Sequence, residues 1–212
     1  MSDQDADFGP QYISPRFTRE KISPGVFTDW VDVWEDRFRG WWLAHAHALR
    51  GKQDGAFLIV HVAVGLIEAL EVAYQGKDSE GQSAQFFSDG FCRMFSGPTD
   101  SALPPADAAR VLYKAVRCGL SHTAMLKGPV FLVDDERLPP LQINATADGK
   151  IVDSVIINPT KLLDVVTMKF DRYVNVLRNG RGPEADERRK RFEDAWHVLH
   201  ARELPQPASA RK

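Results

Sequence analysis

The sequence predicts a mainly α-helical protein: a bundle of five or six helices with a small β-hairpin inserted late in the chain. Apolar residues recur every three or four positions over most of the chain, which is typical of amphipathic helices. Asp148-Gly149, flanked by β-prone runs, is a strong hairpin signal. Together these two patterns favour a helical domain with a β insert over a sheet protein.

The first predicted helix runs from Val26 to Arg50 and is rich in tryptophan. Four of the chain's five tryptophans lie in it, at mostly three- and four-residue spacings. Such an aromatic stripe favours a core or a dimer interface, with a base-stacking platform as the alternative. Residues 1–25 carry three prolines and little periodicity, which predicts an irregular N-terminal arm.

Three further helices are predicted before the β insert. Ala56 to Gln75 is apolar nearly all round at its start, so we expect it at the centre of the bundle. A third helix spans about Gln82 to Ser96, and a fourth begins at Pro104-Pro105, because proline is tolerated in a first turn. The longest apolar run, Ala56 to Ile67, is interrupted by His61 and is too short to span a bilayer, so we expect no membrane partner.

The last part of the chain alternates between strand and helix signals. The β insert occupies about residues 130–157, with its hairpin strands at Leu141–Ala147 and Lys150–Ile157. Asn158-Pro159 opens a fifth helix as N-cap and first-turn residues. A last helix is predicted from Glu184 to about Arg202, with Phe192, Trp196 and Leu199 on one side.

Composition places the chain among ordinary globular proteins. Its 212 residues suffice for one domain with a sizeable core, expected at residues 26–202 and followed by a flexible tail at 203–212. The net charge of −2 provides no global basic field, so any RNA contact must come from a local patch. Cys92 and Cys118 suggest neither a disulfide framework nor a metal site and fit a reducing, cytoplasmic location.

Arg117 and His122, near the end of the fourth helix, are the candidate catalytic residues. Arginine is a permanent cation that can bind a phosphate, and histidine can move protons near neutral pH. Five residues on an ideal helix separate their side chains by roughly 140°, at about 100° per residue. The two side chains converge within one chain only if the helix stops, kinks or changes pitch between them, and Gly119 is the residue best able to permit this. Alternatively, a symmetric dimer brings the two copies together.

Glu68 and Glu71, three residues apart on the second helix, are candidate supporting residues. One of them can orient His122 or an arginine; the alternative is a solvated helix edge with one internal ion pair. Ser121, inside the Arg117–His122 interval, is a further supporting candidate.

Two other charged groups carry weaker hypotheses. The basic cluster Arg188-Arg189-Lys190-Arg191 can contact phosphates, but flanking acids favour a salt-bridged surface. Asp194, His197 and His200 recur at one-turn spacings without a further strong ligand set, so no metal and no cofactor are expected.

The segment Arg117-Cys118-Gly119-Leu120-Ser121-His122 resembles the R-x(4–6)-H motif of the HEPN superfamily (higher eukaryotes and prokaryotes nucleotide-binding domains). The resemblance covers roughly residues 26–178. It implies a helical bundle that pairs as a homodimer, with the motifs of both protomers lining one cleft. Arg117 would then contact phosphate and His122 would act as the acid/base.

The function implied by the resemblance is that of a metal-independent endoribonuclease that cleaves RNA by 2′-hydroxyl attack. A defence or toxin–antitoxin role, with an antitoxin or other protein partner, follows from the same resemblance. The alternative is a non-catalytic HEPN-like module that binds nucleotide, RNA or protein. Cys118 favours this alternative, because active members often have Asn, Asp or His directly after the arginine.

Overall fold

The computed structural model describes residues 11–52, 54–95, 100–101, 104–146 and 152–200. This part of the chain is mainly helical with a small sheet, as the sequence predicts. It divides between His45 and Ala46 into two compact units.

The smaller unit is organised around the tryptophan-rich helix. Helix α1 spans Phe27–Asp36 and continues as a wide π-helical segment, Arg37–Leu43, and then as α2, Ala44–Ala48, in which the division falls. The predicted Val26–Arg50 helix is therefore present, with a change of pitch in its middle. Trp34 is buried, whereas Trp41 and Trp42 are 44% and 46% exposed, so the aromatic stripe only partly faces a core.

Residues 11–25 contain a short 3₁₀ helix, Arg19–Ile22, and an ion pair holds the segment to α1. The Nε atom of Arg16 lies 2.6 Å from Oδ1 of Asp36, and its backbone N–H donates to Oδ2 at 2.8 Å. Burial raises the pKa of Asp36, but hydrogen bonds from Ser14 and Arg16 outweigh it and keep that pKa below its usual value.

The larger unit is built on five main helices and one short one, whose bounds are close to those predicted. They are α3 (Ala56–Gln75), α4 (Ser83–Met94), α5 (Pro105–Leu112), α6 (Cys118–Thr123), α7 (Pro159–Asn179) and α8 (Pro183–His200). Helix α3 packs against α4, α7 and α8, which confirms its predicted central place. It ends at Gly76, whose φ of 74° suits a residue without a side chain.

The apolar stripes of α7 and α8 meet the core mostly as predicted. The α7 stripe is buried throughout: Leu163, Val166, Phe170, Tyr173, Val174 and Leu177. The Tyr173 hydroxyl donates to the carbonyl of Ala73 on α3 at 2.9 Å. On α8, Phe192 and Trp196 are buried, whereas Leu199, predicted on the same side of the helix, is 40% exposed.

Three strands of the β insert and one short strand from before α5 form a four-stranded sheet in the order β1-β3-β4-β2. The strands are β1 (Asp100–Ser101), β2 (Val130–Leu132), β3 (Leu141–Ala145) and β4 (Val152–Ile157). Strands β3 and β4 are antiparallel, with Leu141 opposite Ile157. Strand β1 pairs with β3, and β2 pairs with β4, both in parallel. The predicted hairpin strands are thus confirmed, while the predicted tip, Asp148-Gly149, lies outside the described residues.

One described helix, α3, is long and apolar enough to cross a membrane by length and composition alone. Its most apolar window has a mean hydropathy of 2.0, and 61% of that window is buried inside the structure. The run that looked too short in the sequence is therefore part of a longer apolar helix.

Candidate functional site

The candidate catalytic motif lies on a helix of changing pitch. Helix α5 passes into a π-helical turn, Tyr113–Arg117, and then into α6 without interruption. One row of buried side chains recurs every four residues: Ala108, Leu112, Val116 and Leu120. This spacing exceeds the α-helical repeat of about 3.6 residues. A wide turn, in which the N–H of Cys118 donates to the carbonyl of Tyr113, takes up the excess and keeps this stripe buried.

Gly119 does not break the helix, so the condition under which Arg117 and His122 would converge within one chain is not met at this position. Residues 118–123 are α-helical, and the helix ends where Ala124 adopts a φ of 51°. A Cβ atom on Gly119 would lie 2.4 Å from the carbonyl oxygen of Met125. The glycine instead permits the chain after α6 to fold back tightly against the helix.

Arg117 is held by an acid on the central helix. Its Nη2 atom lies 2.8 Å from Oε2 of Glu68, and the two side chains are 23% and 9% exposed. The hydroxyl of Ser79 donates to the other carboxylate oxygen at 2.9 Å. The guanidinium lies 5.7 Å from the ring centre of Tyr113, one turn earlier. Glu68 thus orients an arginine, one of the roles proposed for it from the sequence.

His122 is exposed, as is its neighbour Ser121. Since the helix is regular between Arg117 and His122, the two side chains remain roughly 140° apart around its axis. Arg117 faces α3, whereas His122 faces solvent. A single copy of the chain therefore presents the two groups on different faces of one helix.

Tyr113 and Cys118 form a second contact across the wide turn. Burial and a hydrogen bond with Cys118 raise the pKa of Tyr113 above its ordinary value. Cys118, the residue directly after Arg117, therefore forms a hydrogen bond with the tyrosine whose ring lies against the Arg117 guanidinium.

Glu71 holds a second arginine, Arg93 on α4. The Nε and Nη2 atoms of Arg93 each lie 2.8 Å from one oxygen of Glu71, a bidentate arrangement. Glu71 is fully buried and also accepts from Gln75 at 3.0 Å. Both glutamates are therefore buried and paired, so the alternative of a solvated edge with one internal ion pair is wrong.

The basic cluster at residues 188–191 is neutralised along its own helix. Each of its cations pairs with an acid about one turn away: Arg188 with Glu184, Arg189 with Asp186, Lys190 with Asp194, and Arg191 with Glu187. This arrangement confirms the prediction of a salt-bridged face. In the described ranges, no three His, Cys, Asp or Glu side chains are grouped to hold a metal ion.

Sequence reasoning missed three residues of this region: Ser79, Tyr113 and Arg93. The available signal was the pair of acids on α3, since buried acids in an apolar helix require cationic or hydrogen-bonding partners. Ser79 lies in a polar loop and Arg93 near a helix end, where neither periodicity nor spacing identifies a partner.

Comparison of the chain with protein-family models, with curated proteins and with solved structures found no match.

Proposed function

We propose that this chain is a metal-independent endoribonuclease of the HEPN type that acts as a homodimer. The observation that carries the proposal is that one helix presents both an oriented cation, Arg117, and an exposed histidine, His122, five residues later. Glu68 and Ser79 hold Arg117 in place, and His122 is open to solvent. Because the Arg117 and His122 side chains lie roughly 140° apart around the helix axis, a second copy of the chain must supply the missing group of each site.

The proposed reaction needs only these two groups. His122 of one protomer takes the proton of the 2′-hydroxyl as that oxygen attacks phosphorus. The bond from phosphorus to the 5′-oxygen breaks, and that oxygen takes up a proton from solvent water. Arg117 stabilises the charge that builds on the phosphoryl oxygens. The products carry a 2′,3′-cyclic phosphate and a 5′-hydroxyl.

The first test is cleavage of a mixed pool of structured RNA, with end-group analysis for cyclic phosphate. We expect His122→Ala to lower the rate by about 10²–10⁴-fold through loss of acid/base catalysis. Arg117→Ala should lower it by about 10²–10³-fold, because a preorganised contact to the developing charge is lost. Because the histidine and arginine do the chemistry, added chelator should leave the rate unchanged.

His197→Ala is the matched control, since His197 is an exposed histidine on α8. Because His122 is exposed, His122→Ala should melt at the wild-type temperature. A wild-type protein without cleavage activity, or a His122→Ala variant with full activity, contradicts the proposal.

The second candidate is a non-catalytic module that binds nucleotide, RNA or a protein partner. The ion pair between Arg117 and Glu68 favours it, because an arginine paired with an acid can still donate hydrogen bonds to a ligand but adds little net charge to stabilise a transition state. Binding of RNA without cleavage, weakened by Arg117→Ala and unchanged by His122→Ala, is the result that this candidate predicts.

A further inference from the structure

Helix α3 holds two arginines that come from two different neighbouring helices. Glu68 pairs with Arg117 and Glu71 with Arg93, each at 2.8 Å. Residues three apart on a helix have their Cβ atoms about 5–6 Å apart. The two guanidinium groups are therefore anchored one helical turn apart on the same helix.

The position of Arg93 depends on a close approach between α3 and α4. A Cβ atom on Gly90 would lie 2.8 Å from the carbonyl oxygen of Ile67 and 3.1 Å from Cβ of Glu71. Glycine at this position lets the two helices touch, and Arg93 follows one turn later. On the other side, the Phe87 ring lies 5.6 Å from the Tyr113 ring, so α4 also contacts the motif helix.

One edge of the Arg93 guanidinium is held by hydrogen bonds, and its other edge is accessible to solvent. Two of its nitrogens bind Glu71, and the guanidinium lies 4.7 Å from the ring centre of Tyr74. No described residue accepts a hydrogen bond from its Nη1 atom, and 47% of the side chain is exposed. A buried acid that fixes an arginine while leaving its outer edge open preorganises that arginine for an anion.

Arg93 lines an open cleft of about 840 Å³ between α3, α4 and α8. Lys77, Lys190 and Arg191 line it as well, together with the acids Glu71, Asp89, Glu187 and Asp194. Three of the four acids are already paired with arginine or lysine, and Asp89 accepts from Gln75 and Gln85. Lys77 is exposed and forms no ion pair with a described residue.

We infer that Arg93 and its cleft form a second phosphate-binding subsite, which holds the backbone of a single-stranded RNA next to the phosphate at Arg117. This inference rests on the proposed function, because Arg117 marks the scissile phosphate. Each nucleotide of a single strand carries one phosphate, so an extended strand presents a row of evenly spaced negative charges. Two arginines anchored about one helical turn apart on α3 are close enough to contact two successive phosphates, and Lys77 lines the same cleft as Arg93.

The test measures binding separately from cleavage. The probe is a fluorescein-labelled 2′-O-methyl RNA strand, which keeps its phosphates and lacks the attacking hydroxyl. We expect Arg93→Gln to weaken binding about 10-fold, as expected for loss of a charge-assisted hydrogen bond. The slope of log affinity against log salt should fall by about 0.7, the value for one phosphate contact on a single strand. Arg137→Gln, which changes an exposed arginine paired with Asp135, should alter neither quantity.

Two further variants guard against a folding defect in Arg93→Gln. The double variant Glu71→Gln/Arg93→Gln leaves no charge buried and should show the same loss of affinity and slope. Lys77→Gln changes only an exposed side chain and should also lower the slope, whereas Lys52→Gln, in the loop before α3, should not.

The outcomes separate this inference from the proposed function. The subsite is overturned if the salt slope keeps its wild-type value in Arg93→Gln, in the double variant and in Lys77→Gln. If Arg117→Gln weakens binding in the same experiment, the ribonuclease proposal still stands. A wild-type protein that neither binds the probe nor cleaves RNA overturns both. Equally tight, Arg93-dependent binding of a poly-glutamate peptide would assign the cleft to acidic protein segments and overturn the RNA subsite.

Discussion

At the scale of single residues, the two buried glutamates of α3 govern the candidate site. Glu68 and Glu71 lie in a helix whose other buried residues are apolar, so each carboxylate must be compensated by a cation or by hydrogen bonds. Each receives an arginine from a neighbouring helix. Their role is therefore to fix two cations whose outer edges face away from α3.

The pair Glu71–Arg93 predicts an asymmetry in stability. Arg93→Ala leaves a fully buried carboxylate whose one remaining donor among the described residues is Gln75, and should lower the free energy of unfolding by about 3 kcal/mol or more. Glu71→Gln leaves a half-exposed arginine that water can solvate, and should cost about 1 kcal/mol. Urea unfolding of both variants measures the difference, and equal losses would mean that the buried carboxylate is solvated.

At the scale of elements, the start of α7 ties the β insert to the helices. The Asn158 side-chain oxygen accepts from the N–H of Lys161 at 2.9 Å, and its Nδ2 donates to the carbonyl of Asp135 at 2.8 Å. Asn158 is fully buried, and Pro159 follows in the first turn. One side chain therefore caps the helix and holds the loop between β2 and β3.

We expect Asn158→Ala to lower the free energy of unfolding by about 1–2 kcal/mol, because it removes an N-cap and leaves buried backbone groups without partners. Asn175→Ala, on the exposed side of the same helix, is the matched control and should cost less than about 0.5 kcal/mol. Chemical denaturation monitored by circular dichroism measures both. A loss in Asn158→Ala no greater than that in the control would show that the cap does not stabilise α7.

At the scale of the whole molecule, the separation of Arg117 and His122 around one helix bears on assembly. A site that uses both groups on one phosphate needs two copies of the helix, as in the proposed homodimer. We expect light scattering at tens of micromolar to give close to twice the chain mass of 23.8 kDa.

Mixing variants tests whether the site is shared. Arg117→Ala and His122→Ala are each expected to lose most of their activity, but a mixed dimer retains one intact Arg117 and one intact His122 on different chains. Recovery of part of the cleavage activity on mixing supports a composite site. An active monomer, or a mixture with no recovered activity despite subunit exchange, contradicts it.

The sequence by itself determined the helices and the hairpin strands, because the signals for these elements are local. The bounds predicted for α3 match the structure, since an apolar run that ends at Gly76 defines both the helix and its cap. Asn158-Pro159 likewise identified the start of α7. The basic cluster at 188–191 was correctly predicted to be neutralised, because its acids lie about one turn away on the same helix.

The tertiary structure alone decided which residues of the candidate site meet. Arg93 and Glu71 are 22 residues apart, and Arg117 and Glu68 are 49 apart, so both pairs depend on how the helices pack against one another. Arg117 points toward α3 partly because of the wide turn at Tyr113–Arg117. The packing of the motif helix stabilises that turn. Periodicity in a sequence reports which side of a helix is apolar, whereas the partner of a buried charge is set by long-range packing.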